Sequence, residues 1–274
     1  MPLVALAATM ETLAHHGRST AYRVRGSADA PTVLFVHGSG GTHAVWKAQL
    51  ARLADTYRVA ALDLPGHGDS DDIETDPGPE TLDAYAADVR AVAADVGASV
   101  LVGNSLGGAV VLTAVLDGGV EPDAVVLAGC GATLAVADSL RAWLAGDGPG
   151  FERALAFLHD SGRLFHDPDD RTLALSKDAM RDCGRAVVNR DFRSCHSFDV
   201  RTRLSEIDSP VFALTGDHDH LTPPSAHEFL AEHVQTGGWT TLPDAAHLSM
   251  LETPDQFNDA LDAFLSDPAL VARR

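Results

Sequence analysis

The segment Gly103-Asn104-Ser105-Leu106-Gly107-Gly108 constrains this chain more than any other. It follows the apolar, β-branched run 100–102 and opens a stretch with helical spacing, so a serine with glycines two positions to either side stands where a strand passes into a helix. A turn that sharp strains its central residue and brings backbones close together, which requires small residues two before and two after. The hydroxyl of Ser105 is thereby presented at the start of a helix, where free N–H groups and the helix dipole favour developing negative charge. Ser105 is the candidate nucleophile, the N–H of Leu106 a candidate oxyanion donor, and Asn104 a candidate substrate contact. The competing reading of the same residues is a glycine-rich turn of purely structural purpose.

A serine nucleophile needs a second oxyanion donor, a base and a carboxylate. His37-Gly38-Ser39-Gly40-Gly41 follows the apolar run 33–36, and its glycines let the loop approach a substrate oxygen. The Ser39 N–H is the candidate second donor, with Gly38 a candidate substrate contact. Asp63-Leu-Pro-Gly-His-Gly-Asp69-Ser suits a tight loop, and His67 within it reads as a residue with a local structural job. After the run 211–214 comes Gly216-Asp217-His218-Asp219-His220, and after 239–242 comes Asp244-Ala-Ala-His247. The chain order serine, aspartate, histidine fits the elbow, with His247 as base and either Asp217 or Asp219 as its partner. His218-Asp219-His220 lacks the spacing of a zinc pair, and neither a metal nor another cofactor is expected.

Apolar runs at 33–36, 57–62, 100–102, 124–127 and 211–214 alternate with helical spacing at 82–96 and 109–116. That alternation predicts a mostly parallel, twisted sheet with helices on both faces. Residues 12–15 and 20–25 fit an antiparallel hairpin turning at His16-Gly17. The alternation fails between about 131 and 209, where helical segments at 137–144 and 151–159 predict a helical cap or lid inserted into a core made of 1–130 and 210–274. Trp143, Phe157, Phe165, Phe192 and Phe198 are scattered through it. Trp143 and Phe157 are its candidate substrate contacts, the alternative being that these aromatics build the insertion's own small core. Thr253-Pro254-Asp255-Gln256 reads as a capping box that starts a last helix with an apolar stripe at Phe257, Leu261, Phe264 and Leu265.

A length of 274 residues accommodates one such domain with an insertion. The net charge of −19, with only two lysines, Lys47 and Lys177, makes nucleic acid a poor partner. The same acidity suits work in concentrated salt, or reflects a codon bias towards Arg and Asp. No apolar run is long enough to cross a membrane. The opening residues lack a basic n-region, and residues 1–9 read equally as a loose extension or as the product of a misplaced start, since Met10 begins a strand-like stretch. Three cysteines, Cys130, Cys183 and Cys195, show no metal spacing and read as reduced thiols, so a cytoplasmic location is expected.

The blocks His37-Gly, Asp63-Leu-Pro-Gly-His-Gly-Asp-Ser, Gly-Asn-Ser105-Leu-Gly-Gly, Gly-Asp-His-Asp219-His-Leu-Thr-Pro-Pro and His247 with Glu252-Thr-Pro resemble the α/β-hydrolase superfamily from end to end. The resemblance implies the α/β-hydrolase fold, and it places the acid three residues after the strand-ending glycine, on Asp219. Ala246 departs from the glycine that many relatives carry before the histidine. The elbow also looks like those of enol-lactonases and carbon-carbon bond hydrolases, but Leu248 stands where the latter commonly have tryptophan. Dehalogenases and epoxide hydrolases of similar shape use an aspartate nucleophile, which Ser105 replaces here. The implied activity is hydrolysis of a small-molecule ester or lactone through an acyl-enzyme on Ser105. The alternatives are a carbon-carbon hydrolase or cofactor-free perhydrolase using the same triad, and a non-catalytic ligand-binding protein.

Overall fold

The computed structural model describes residues 10–146 and 149–267; the expectation for residues 1–9 lies outside them. Eight strands form one sheet in the order β1-β2-β4-β3-β5-β6-β7-β8. They are β1 (Met10–His15), β2 (Arg18–Arg25), β3 (Thr32–Val36), β4 (Arg58–Leu62), β5 (Ala98–Asn104), β6 (Ala124–Ala128), β7 (Val211–Gly216) and β8 (Gly237–Leu242). The hairpin β1–β2 and the pair β2–β4 are antiparallel, and every other pairing is parallel. His16 and Gly17 both have positive φ, 48° and 78°, which matches a two-residue hairpin turn to the twist of its strands.

The central strands β3, β5, β6 and β7 alternate side chains between two apolar layers. Leu34, Val36, Leu101, Val125 and Leu127 face one cluster, completed by α2 (Pro79–Val96), α3 (Leu106–Leu116) and α8 (Pro224–His233). Val33, Phe35, Val102, Val126 and Leu214 face the other, with α1 (Lys47–Arg52), α9 (Ser249–Glu252) and α10 (Pro254–Ser266). Between β6 and β7 the chain forms α4 (Asp138–Ala145), α5 (Gly150–Leu158), α6 (Asp170–Cys183) and α7 (Arg185–Ser197). These four helices bury a cluster of their own around Leu140, Leu144, Leu155, Leu158 and Val188. Among the described residues no helix is long and apolar enough to cross a membrane.

The apolar stripe of α10 is buried at Phe257, Leu261 and Phe264, but the capping box expected at its start does not form. Thr253 is the N-cap residue, yet its hydroxyl donates back to the Ser249 carbonyl at 3.3 Å, because the short helix α9 runs directly into it.

Candidate active site

The candidate catalytic and oxyanion residues all arise at the carboxyl ends of parallel strands, where the chain leaves the sheet. Ser105 follows β5 with φ 52° and ψ −116°, a conformation rare outside glycine. The turn closes because its flanks lack side chains: a Cβ on Gly103 would lie 2.4 Å from the Gly107 carbonyl oxygen, and one on Gly107 would lie 2.3 Å from that of Val36. The Ser105 N–H bonds to Ala128 O at 2.9 Å, anchoring the elbow to β6. Leu106 opens α3, so its N–H has no carbonyl one turn back. Among the described residues no loop carbonyl takes the N–H of Leu106 or Ser39.

The loop after β7 brings Asp219 to His247. The His247 Nδ1–H donates to Asp219 Oδ2 at 2.9 Å, with both side chains buried. Asp219 also accepts from Thr215 Oγ1 at 2.8 Å and from the N–H groups of Leu221 and Thr222 at 2.8 and 2.9 Å. Burial works to raise its pKa, but the His247 ring and these donors outweigh it and hold the carboxyl below its ordinary value. With Nδ1 committed, the Nε2 of His247 is the ring nitrogen without a partner among the described residues. Asp217 points elsewhere, 42% exposed and 3.7 Å from His218 Nε2.

Four supports of this arrangement were given no role from the sequence. Gly129, at φ 57° after β6, leaves room for the imidazole; a Cβ there would come within 2.9 Å of His247 Nδ1. Thr215 fixes the carboxylate that orients the ring. Glu252 takes the N–H of Ala246 at 2.8 Å and those of His166 and Asp167 at 2.8 and 3.0 Å, tying the histidine loop to the insertion. Asp191, on α7, binds His67. Gly129 and Asp191 act on residues far away in sequence, which no local pattern connects to them, whereas Thr215 and Glu252 lie four and six residues from their partners Asp219 and Ala246.

The loop after β3 rests on two buried histidines whose rings lie 4.8 Å apart. His37 donates from Nδ1 to Gly38 O at 2.8 Å and accepts the Leu64 N–H on Nε2 at 3.0 Å, so it is neutral. Burial and the nearby His67 pull its pKa down to about 4. His67 faces acceptors on both sides, Pro65 O at 3.1 Å and Asp191 Oδ2 at 3.0 Å, and the charged ring donates to both, so that the Gly40 N–H, 3.3 Å from the same Nε2, makes no hydrogen bond to it. Burial opposes that charge, but the Asp191 carboxylate overrides it and carries the His67 pKa well above the ordinary value. A residue expected to act locally is therefore part of a long-range ion pair.

Ser105, His247, Asn104, Gly38 and Ser39 line one cavity of about 1070 Å³, whose far wall comes from the insertion. Gly38 packs against the elbow: a Cβ there would sit 2.8 Å from Asn104 Oδ1 and 3.2 Å from Ser105 Cβ. Asn104 Nδ2 donates to Ala128 O and His247 O at 3.0 and 3.4 Å, and its buried Oδ1 has no protein donor among the described residues. Phe157 and Phe192 line the cavity, whereas Phe165 is buried and Phe198 packs into the core beneath the sheet. Trp143 corrects the expectation: it is not on the cavity wall. It lies in the last turn of α4, its carbonyl against Gly150, and its ring packs edge-on to Phe157 with centroids 5.6 Å apart. Among the described residues no group of three His, Cys, Asp or Glu side chains is placed to hold a metal.

The chain is similar to 3-oxoadipate enol-lactonase 1 of Acinetobacter baylyi, 27% identical over 256 residues that cover 91% of this chain and 94% of that protein. It is similar to a pimeloyl-(acyl-carrier protein) methyl ester esterase of Neisseria meningitidis, 29% identical over 236 residues covering 82% and 90%. Among solved structures, a thermophilic esterase superposes with a TM-score of 0.84 at 28% identity, over 96% of this chain and 99% of that one. The sequence matches the model of the alpha/beta hydrolase family over residues 33–260, and the chain belongs to that family.

Proposed function

We propose that this protein is a serine hydrolase that cleaves small or medium carboxylic esters or lactones through an acyl-enzyme on Ser105. The observation that carries the reading is that Ser105, on its strained elbow, opens on the same cavity as His247, whose Nδ1 is held by buried Asp219. The names of the relatives, an enol-lactonase and a methyl ester esterase, support the ester or lactone class.

In this mechanism His247 Nε2 takes the Ser105 proton as Oγ attacks the carbonyl, and Asp219 stabilises the imidazolium that forms. The N–H groups of Leu106 and Ser39 receive the oxyanion. Collapse of the tetrahedral intermediate expels the alcohol, protonated by His247, and leaves the acyl group on Ser105. Water, deprotonated by His247, then attacks the acyl-enzyme and regenerates the serine. In a lactone the expelled alcohol stays part of the same molecule. Asn104 and Gly38 flank the reacting carbonyl, and the helices 138–197 act as a cap whose Phe157 and Phe192 enclose the rest of the substrate.

The cavity wall is largely apolar, and the carboxylates of Asp69, Asp178 and Asp182 stand on it with Lys47 and Arg163. Together with the net charge of −19, this favours neutral or weakly charged substrates. A panel of p-nitrophenyl esters and lactones, assayed in low and high KCl with a fluorophosphonate-treated control, tests the reading. Hydrolysis abolished by the phosphonate is expected. Absence of turnover across the panel, or turnover insensitive to the phosphonate, would contradict it.

A further inference from the structure

A second serine–histidine contact lies on the cavity, in the insertion. Ser176 on α6 lines the cavity, and its Oγ is 3.0 Å from Nε2 of His159, a buried residue that follows α5. The other ring nitrogen, Nδ1, is 2.8 Å from the Leu155 carbonyl. A carbonyl oxygen can only accept, so Nδ1 carries the ring proton. Burial lowers the His159 pKa, with Lys177 and Arg181 adding to it against the pull of the Leu155 carbonyl, so the ring is neutral near pH 7. Its Nε2 is therefore a lone-pair acceptor, and the Ser176 O–H must donate to it. The serine oxygen keeps its own lone pairs, and its proton is not available to a ligand.

Two other polar groups on the insertion's side of the cavity, Arg163 and Asp178, are committed to protein partners. The Arg163 guanidinium donates to Phe157 O and Asp160 Oδ2, both at 2.8 Å, and lies over the Phe157 ring. Asp178 accepts from Arg181 at 3.0 Å. Helix α6 itself buries only Met180 while Thr172, Leu175, Ser176, Ala179, Met180 and Cys183 line the cavity. The inner face of this helix covers space that a ligand can fill. A neutral acceptor with a fixed orientation, set in a wall of apolar side chains, discriminates between ligands because a donor left unpaired against it loses its hydrogen bonds to water.

We propose that Ser176 is a ligand-binding acceptor: with its own proton committed to His159, its oxygen takes a hydrogen bond from an O–H or N–H on the part of the substrate enclosed by the insertion. This deepens, and rests on, the ester and lactone reading, and it narrows the substrate class to acyl chains carrying a hydroxyl or amide donor away from the scissile carbonyl. The contact needs no chemistry at Ser176, which holds the chain while Ser105 reacts.

Calorimetric binding of methyl octanoate and its monohydroxylated isomers, the hydroxyl moved position by position along the chain, tests this in the full-length protein carrying Ser105→Ala. At least one isomer should bind roughly three- to tenfold more tightly than methyl octanoate, the range of one neutral hydrogen bond. Adding Ser176→Ala should bring that ratio to about one. Adding His159→Phe instead frees the serine proton, and the preference should turn towards a keto group at the same position. Equal binding of all isomers, or a preference that survives Ser176→Ala, overturns the proposal. Hydrolysis of the same esters by the wild-type protein reports separately on the reaction itself.

Discussion

His67 and Asp191 form a fully buried ion pair, Nε2 to Oδ2 at 3.0 Å, that joins the loop after β4 to helix α7 of the insertion. The carboxylate also accepts the Tyr85 hydroxyl at 2.8 Å, so helix α2 shares the junction. The Gly40 N–H, in the loop that carries Ser39, lies 3.3 Å from the same His67 nitrogen. Met180 of α6 reaches that loop as well, 2.8 Å from where a Cβ on Gly40 would stand. The proposed oxyanion loop and the insertion are thus packed as one unit.

Asp191→Asn strands a buried charge, and loss of one partner of a buried pair costs about 3–5 kcal/mol. The His67 pKa is raised in the fold, so the pair's contribution is complete below the unfolded value of about 6.5 and disappears as pH rises through the folded value. Urea unfolding of wild type and Asp191→Asn should show a stability gap that is widest below about pH 6.5 and narrows under alkaline conditions. A gap that widens with pH would contradict a charged His67.

His37 and His227 behave in the opposite sense. Burial takes both down to about 4, and the hydrogen bonds of His227, from the Cys130 N–H to Nε2 at 3.1 Å and from Nδ1 to Pro223 O at 3.3 Å, require the neutral ring. In the unfolded chain they protonate first, so stability is lost as pH falls from about 6.5 towards 4. Thermal midpoints over this window should fall with pH for the wild type and fall less for His227→Gln. Identical slopes would show that His227 does not carry this dependence.

The strand-helix alternation was legible because central parallel strands are buried on both faces and read as continuous apolar runs. Ser105, Asp219 and His247 were legible as candidates because their segments carry the residue types and the chain order that the elbow demands. What could not be read is contact at long range. Nothing near His67 in sequence points to Asp191, 124 residues on, and nothing near Gly129 points to the imidazole beside it. Thr253 shows the converse. Its local pattern is a capping box, but no N–H of α10 reaches its hydroxyl oxygen, and the hydroxyl instead donates back to Ser249 O of the preceding helix α9.

The two aspartates after β7 separate cleanly. Asp219→Asn should lower kcat by roughly 10³- to 10⁴-fold through the wrong imidazole tautomer, with the fold intact. Asp217→Asn, altering an exposed carboxylate, should cost about tenfold or less. Steady-state kinetics on one p-nitrophenyl ester decide it, and reversed effects would assign the orienting role to Asp217.

The charge of −19 bears on stability as well as on substrate choice. Screening by molar KCl should relieve repulsion among the carboxylates and raise both the melting temperature and the activity. A melting temperature unchanged between dilute buffer and molar KCl would leave codon bias as the account of the acidity.

The central claim is that Ser105 becomes acylated during turnover. Peptide mapping by mass spectrometry after treatment with a fluorophosphonate should find one adduct, on Ser105, with ester hydrolysis lost in proportion to labelling. Ser105→Ala should show no adduct and a loss of several orders of magnitude in kcat. Labelling at another residue, or near wild-type turnover by Ser105→Ala, would contradict the account.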